Sequence, residues 1–244
     1  MRCLGKTVVL VSSKGGSGKS TVAVGLATAF SREGKSVLLI DADEGARCLD
    51  FMLSVDKDTV FDLSDVLNGN AEIENAKLKV PFLDNVWVIP SPLSGEPIDL
   101  AALGELTQSL KEEYDYVIVD TKGQLPAERF QGFTKNAQFI SVVTTDRIAV
   151  RNTGALNSRL VSYGFNPRLI INRFAIRNAD GGYNNIDDII DSASARLLGI
   201  IPEDRNIGTN KNGLLFGTAS AAVFRIASRI EGRETPLPKI KDIL

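Results

Sequence analysis

An α/β fold, with a doubly wound and mainly parallel sheet carrying helices on both faces, is the architecture that this 244-residue sequence predicts. Three observations point to it. Apolar runs of strand length alternate with stretches of helical spacing along the chain. Most of those runs are continuous rather than alternating, as strands covered on both faces require. The first run, Thr7-Val8-Val9-Leu10-Val11, feeds a glycine-rich turn that opens a helix.

Taken in order, strands are read at Lys6–Ser12, Ser36–Asp41, Asn85–Pro90, Tyr116–Asp120, Phe139–Thr145, Arg168–Arg173 and Leu198–Ile201. Helical spacing falls at Ser20–Glu33, Asp99–Glu113, Ala127–Lys135, Val150–Tyr163, Asn185–Leu197 and Thr218–Gly232. In the first of these, Val22, Leu26, Ala29 and Phe30 recur at the spacing of one helix face. Asp56 to Lys79 reads as a shorter helix plus its connection, and Asn178-Ala179-Asp180-Gly181-Gly182 as a loop. No repeat, low-complexity segment or linker breaks the pattern, so residues 1–244 are read as one domain, with 233–244 a short C-terminal tail.

Composition removes whole classes of chemistry. Histidine is absent, which excludes His-based acid–base catalysis, His-dependent triads and a common metal ligand. The two cysteines, Cys3 and Cys48, are far apart, so neither a structural zinc site nor a cysteine-ligated iron–sulfur cluster within one chain is expected. Carboxylates, lysines, hydroxyls, backbone groups and a bound cation remain, and phosphoryl transfer to water needs little else. No leader-like segment or membrane-length apolar run is read, so a cytoplasmic location is expected.

The turn after the first strand is Ser13-Lys14-Gly15-Gly16-Ser17-Gly18-Lys19-Ser20-Thr21. Glycines let successive N–H groups point inward, and the helix N-terminus adds its partial positive charge, which together make a phosphate cradle. Lys19 supplies a cation for the β- and γ-phosphates, and the Ser20 hydroxyl can ligate Mg²⁺. The first glycine of the usual pattern is replaced by Ser13, an irregularity expected to be minor.

Two further strands end in carboxylates. Val37-Leu38-Leu39-Ile40 leads into Asp41-Ala42-Asp43. The two aspartates share a face if the strand continues and diverge if the chain turns. A carboxylate there can orient an attacking water or reach a Mg²⁺-bound water. Tyr116-Val117-Ile118-Val119 ends in Asp120, with Thr121-Lys122-Gly123 following. Asp120 stands where P-loop NTPases place the acidic residue of the Mg²⁺ shell. Gly123 would let a backbone N–H approach a γ-phosphate.

With Lys14 ahead of the glycines, these elements resemble the MinD/ParA family of ATPases, the branch with a deviant Walker A motif, and within it the MinD pattern. The resemblance spans nearly the whole chain. It continues through Leu49-Asp50, Asn172-Arg173-Phe174, Ile201-Pro202-Glu203-Asp204 and Ile226-Ala227-Ser228-Arg229. It implies ATP and Mg²⁺ as cofactors and a P-loop NTPase fold. Gly15, Gly16, Ser17, Gly18, Lys19, Ser20 and Thr21 would hold the phosphates, and Lys14 would reach the phosphates of a partner subunit in an ATP-bound homodimer. Asp43 would position the hydrolytic water. Ser20, Asp43 and Asp120 would serve the cation. Asn172 and the backbone near Pro202 would frame the adenine, and Arg173 would join the nucleotide contacts.

The implied function is a slow ATP hydrolase, stimulated by a protein partner, that acts in division-site selection or in positioning cellular machinery. Pilus or flagellum placement and DNA partitioning are the alternatives. For DNA the sequence offers Arg147, Arg151, Arg159, Arg168, Arg173 and Arg177, with no Asp or Glu among them, although such charges also cap helices or are simply solvated. Association with the inner face of the membrane would use Lys239 to Leu244, a segment short for an amphipathic helix after Pro236 and Pro238. Iron–sulfur scaffold and tyrosine-kinase relatives fit poorly, lacking the cysteine pairs and a tyrosine-rich tail. Three departures from the family pattern stand out: Cys48 where Asn is usual before Leu-Asp, Lys122 in place of a proline, and a tail that is short for the basic amphipathic helix at the end of such proteins.

Overall fold

A computed structural model describes residues 4–175, 185–204 and 217–237. Its centre is an eight-stranded sheet of β1 (Lys6–Val11), β2 (Val37–Ala42), β3 (Leu78–Lys79), β4 (Val86–Ile89), β5 (Tyr116–Thr121), β6 (Gln138–Val143), β7 (Arg168–Phe174) and β8 (Arg196–Pro202). Across the sheet the order is β3-β4-β2-β5-β1-β6-β7-β8. All pairings are parallel except that of β3 with β4. The helices are α1 (Lys19–Arg32), α2 (Leu49–Met52), α3 (Leu63–Leu67), α4 (Ile73–Ala76), α5 (Leu100–Leu110), α6 (Arg147–Ser162), α7 (Ile186–Ala193) and α8 (Gly217–Glu231).

Successive strand residues point to opposite faces, and both faces are covered. Val8, Leu10, Leu39, Ile118, Ile140 and Ile170 pack with α1 and α8. Val9, Val11, Leu38, Ile40, Val117, Val119 and Phe139 pack with α5 and with Phe130, Phe133 and Phe165. Val143, Leu169 and Ile171 meet α6 and α7. Burial on both sides explains why the strands read as unbroken apolar runs.

Three segments differ from the sequence expectation. Only Ala127–Phe130 of the expected helix Ala127–Lys135 is helical, as a single 3₁₀ turn. Beyond it, Gly132 and Gly104 bring two backbones so close that a Cβ on either would strike the other segment, and a continuing helix has no room there. Helix α7 stops at Ala193 because Ser194 turns into the left-handed region (φ 52°), after which Arg196 and Leu197 pair with Arg168 and Leu169. The stretch Asp56–Lys79 holds a 3₁₀ turn, two short helices and an antiparallel edge strand. Within it, Asp62 caps α3 reciprocally with Asp65. The expected loop 178–182 lies outside the described residues.

Chain direction reverses its march across the sheet at β1, which lies between β5 and β6. Ligands of open parallel sheets bind beyond the strand ends at such a point. The register there is decisive. Asp120 is level with Leu10 on one side and Asp41 on the other, so both acidic strand ends lie beside the turn that follows β1. At the end of α8, Arg229 donates to the carbonyls of Leu198 (2.9 Å), Thr235 (2.8 Å) and Pro236 (2.6 Å), which fixes the described part of the tail against β8. Residues 238–244 lie outside the described residues.

Candidate nucleotide site

The turn after β1 is held from several directions. Gly16 (φ 73°) and Gly18 (φ 90°) occupy the left-handed region, where other residues are strained. Gly18 caps α1, whose first turn carries no acidic residue to quench its positive end. Asn172 on β7 donates its amide to the Ser17 carbonyl at 2.8 Å, and a Cβ on Gly18 would collide with that same amide nitrogen. Gly18→Ala is therefore expected to cost about 1–3 kcal/mol of stability, read from urea unfolding, because it adds backbone strain to a clash.

Lys19 is buried, and its ammonium donates to Ser12 Oγ at 3.0 Å. The Ser12 hydroxyl donates in turn to the Lys14 carbonyl at 2.9 Å. Ser12 thus shapes the loop, a role the sequence reading missed although a hydroxyl at the strand end was visible. Ser13 also proves more than a minor irregularity. Its hydroxyl donates to the Ala149 carbonyl and meets Thr153 Oγ1, both at 2.8 Å, tying the loop to α6. Lys14 projects outward, more than half exposed, with Nζ 3.7 Å from Asp146. Asp146 also caps α6 through the Ala149 N–H at 2.7 Å.

The two aspartates after β2 diverge. Asp41 is fully buried and accepts the backbone N–H groups of Asp43 (3.1 Å), Cys48 (3.0 Å) and Leu49 (3.0 Å). Its carboxylate folds the loop back and opens α2. Burial nevertheless lifts its pKa to about 6, against those N–H groups. Asp43 is half-buried, and burial raises its pKa while Lys19 and Lys122 pull it down.

Asp120 is fully buried, and neither carboxylate oxygen completes a hydrogen bond among the described residues. Burial first and the Asp41 charge second push its pKa to about 7, opposed by Lys19 and the nearby Ser20 hydroxyl. An unsatisfied carboxylate beside a serine hydroxyl fits a small hard cation that keeps several waters. No group of three acidic, cysteine or histidine side chains among the described residues could cage a metal alone. The donors fit an ion completed by phosphates. Cys48 joins this cluster: its thiol donates to Ser20 Oγ at 3.2 Å, and burial raises its pKa to about 11, so the sulfur stays protonated.

The raised carboxylates carry a pH signature. Without cation, the folded chain holds these protons more tightly than the unfolded chain. Their stabilising contribution is complete below the unfolded value near 4 and is lost as pH rises through about 6 and about 7. Asp120→Asn is therefore expected to gain thermal stability over the parent as pH rises from about 5 to 8. Parallel melting curves across that range would refute the assignment.

The strand end after Asp120 lies on the phosphate loop. The Thr121 hydroxyl donates to the Leu10 carbonyl (2.7 Å) and the Gln124 N–H to the Ser12 carbonyl (2.9 Å). A Cβ on Gly123 would stand 3.2 Å from the Gly15 nitrogen, so a side chain there would press on the cradle. Lys122 reaches Glu44, on the segment after β2, at 3.1 Å.

The family model for the CobQ/CobB/MinD/ParA nucleotide binding domain matches residues 8–214. The chain belongs to this family. It is 34% identical to the septum site-determining protein MinD of Bacillus subtilis, over 98% of this chain and 94% of that one. The MinC:MinD cell division protein complex of Aquifex aeolicus superposes with a TM-score of 0.84 at 30% identity, covering 96% of this chain and 99% of that chain. MinD of Pyrococcus horikoshii, solved with Mg-ADP, gives 0.81 at 27% identity, covering 93% and 96%.

A CobQ/CobB/MinD/ParA domain needs a base-binding side as well, and the ends of β7 and β8 lie next to the loop. Asn172 spends one of its two amide N–H groups on the Ser17 carbonyl, which leaves the other N–H and the oxygen for a base. Arg173 is exposed and has a left-handed backbone (φ 55°), set by a register break between Ile171 and Phe174. With Ser13–Ser17, Thr144 and Ala149 it lines a cavity of about 210 Å³. Pro202 is buried opposite Phe174.

Of the arginines named for DNA, Arg147, Arg151 and Arg159 lie on α6, and Arg168 and Arg173 lie on β7. Arg168 and Arg173 sit at opposite ends of β7, about 16 Å apart at the usual rise per residue. Arg159 is paired with Glu128 at 2.7 Å, and Arg177 lies outside the described residues. No helix among the described residues is long and apolar enough to cross a membrane.

Proposed function

We propose that this chain is a Mg²⁺-dependent ATP hydrolase that works as a dimerisation switch of the MinD kind, in the selection of the cell-division site. The observation that carries this reading is the convergence of Lys19, Ser20, Asp43 and Asp120 at the turn after β1, with Lys14 more than half exposed at its rim. The N–H groups from Gly15 to Ser20 cup the phosphates, Thr21 continues the first turn of α1, and Lys19 leaves Ser12 to meet the β- and γ-oxygens. Ser20 and Asp120, with Asp43 beside them, would hold the cation, which would supply charge neutralisation for the phosphates. Asp43, poised between two lysines, orients the attacking water. Gly123 brings its backbone N–H to the γ-phosphate. The Asn172 oxygen, Arg173 and the backbone at Pro202 receive the adenine.

Lys14 leaves Asp146 for the phosphates of a second copy. Such an exposed ion pair is worth about 0–1 kcal/mol, so exchange is easy. The Aquifex relative is solved as a MinC:MinD complex, which supports a protein partner; that such a partner activates hydrolysis is part of the proposal. The proposed place of action is the cytoplasm, including the inner face of the membrane. Sedimentation of Asp43→Ala is the test: a dimer with ATP and a monomer with ADP is expected. A single state with both nucleotides overturns the switch. Anionic liposomes and duplex DNA offered side by side to the ATP form identify the surface.

A further inference from the structure

Lys122 is a third lysine at the rim of the cradle. Its backbone is fixed there: Thr121 and Gln124 on either side are bonded to the end of β1, and Gly123 rests on the Lys14–Gly15 peptide. The side chain alone is free to swing. In the structure its ammonium lies 3.1 Å from Glu44 Oε1, about half exposed, while Glu44 is largely covered. That pair bridges the segment after β5 and the segment after β2 across the mouth of the site. Glu44 directly follows Asp43 in sequence, so the Lys122–Glu44 pair lies beside the carboxylate proposed to orient the water.

We propose that Lys122 determines specificity for nucleoside triphosphate over diphosphate, with its ammonium leaving Glu44 for the terminal phosphate. This rests on the ATP-switch reading above. The physical basis is a difference in charge and position. Lys19 is buried at the base of the cradle and serves both nucleotides. Lys122 stands at the rim, where only the third phosphate brings negative charge. A flexible four-carbon stem suits such an exchange between two acceptors. Glu44 sets the threshold, since the triphosphate must outcompete it.

The test compares binding of ADP and of a non-hydrolysable ATP analogue, both with Mg²⁺, to the full chain. Lys122→Gln is expected to weaken the triphosphate about 10-fold and ADP by less than about 2-fold, the loss of one charge-assisted contact. Glu44→Gln is expected to tighten the triphosphate about 3-fold, and the double variant to match Lys122→Gln alone. Lys122→Arg should restore most of the preference. Equal loss of both nucleotides, or an unchanged preference in Lys122→Gln, overturns the proposal while leaving the switch intact. A parent chain that binds neither nucleotide overturns both.

Discussion

Lys14→Ala is expected to abolish ATP-dependent dimerisation and to lower turnover by about 100-fold or more, while ATP still binds. The argument starts from where the residue is. Its side chain is 57% exposed and makes an ion pair at 3.7 Å with a half-exposed Asp146, which contributes little to folding. The loop does not need it: Ser12 holds the Lys14 carbonyl, Ser13 is tied to α6, and Asn172 holds Ser17. Removing the ammonium therefore leaves the cradle intact for binding and takes away only the charge that points outward. Calorimetric titration should show ATP affinity within about threefold of the parent, and analytical ultracentrifugation should show monomer alone. Normal turnover by this variant would mean that no cross-subunit lysine is at work.

Asp43→Ala is expected to reduce turnover by about 10²–10⁴-fold with ATP binding retained, so that the ATP-bound dimer accumulates. Asp43 has no structural duty comparable to that of its neighbour two residues back. It is half-buried, with Lys19 and Lys122 near enough to pull its pKa down, and in the proposed mechanism its carboxylate orients the attacking water. Asp41→Ala should behave quite differently. It strands three backbone N–H groups, of Asp43, Cys48 and the buried Leu49, and is expected to cost about 1–3 kcal/mol in stability. Single-turnover hydrolysis and urea unfolding of the two variants separate the roles: one loses rate, the other loses fold.

That contrast shows how far the sequence could be read. Asp41-Ala42-Asp43 was legible as an acidic strand end, yet which aspartate works and which builds depended on where the chain turned. The turn is set by Ala42 ending β2 and by the N–H groups of Cys48 and Leu49 folding back, a non-local arrangement with no signal in the spacing. Ser13 is a similar case. As a missing glycine it looked negligible, and its partners Ala149 and Thr153 are far along the chain. Cys48 was visible as a departure from the family pattern, but its contact with Ser20 was not. The resemblance implies Asn172 as a base contact, and packing also commits one of its amide N–H groups to the phosphate loop. Helix ends failed where close backbone approach decided them, at Gly132, or where one residue turned left-handed, at Ser194.

Much, however, was local. A strand, a glycine-rich turn and a helix are contiguous, so the cradle and its Lys19 and Ser20 follow from neighbours in sequence. Continuous apolar runs state that both sheet faces are covered, because hydrophobic burial leaves its pattern residue by residue. Those features alone determined the fold class, the phosphate-binding turn and the absence of histidine chemistry. Only the tertiary structure decided the rest: that Asp120 lies level with Asp41 and is left unsatisfied, that Lys14 faces outward onto Asp146, and that Lys122 spans to Glu44. Each is a meeting of groups from different strands or loops, fixed by sheet order and register. Register is settled by the packing of the whole sheet, and no single segment carries it.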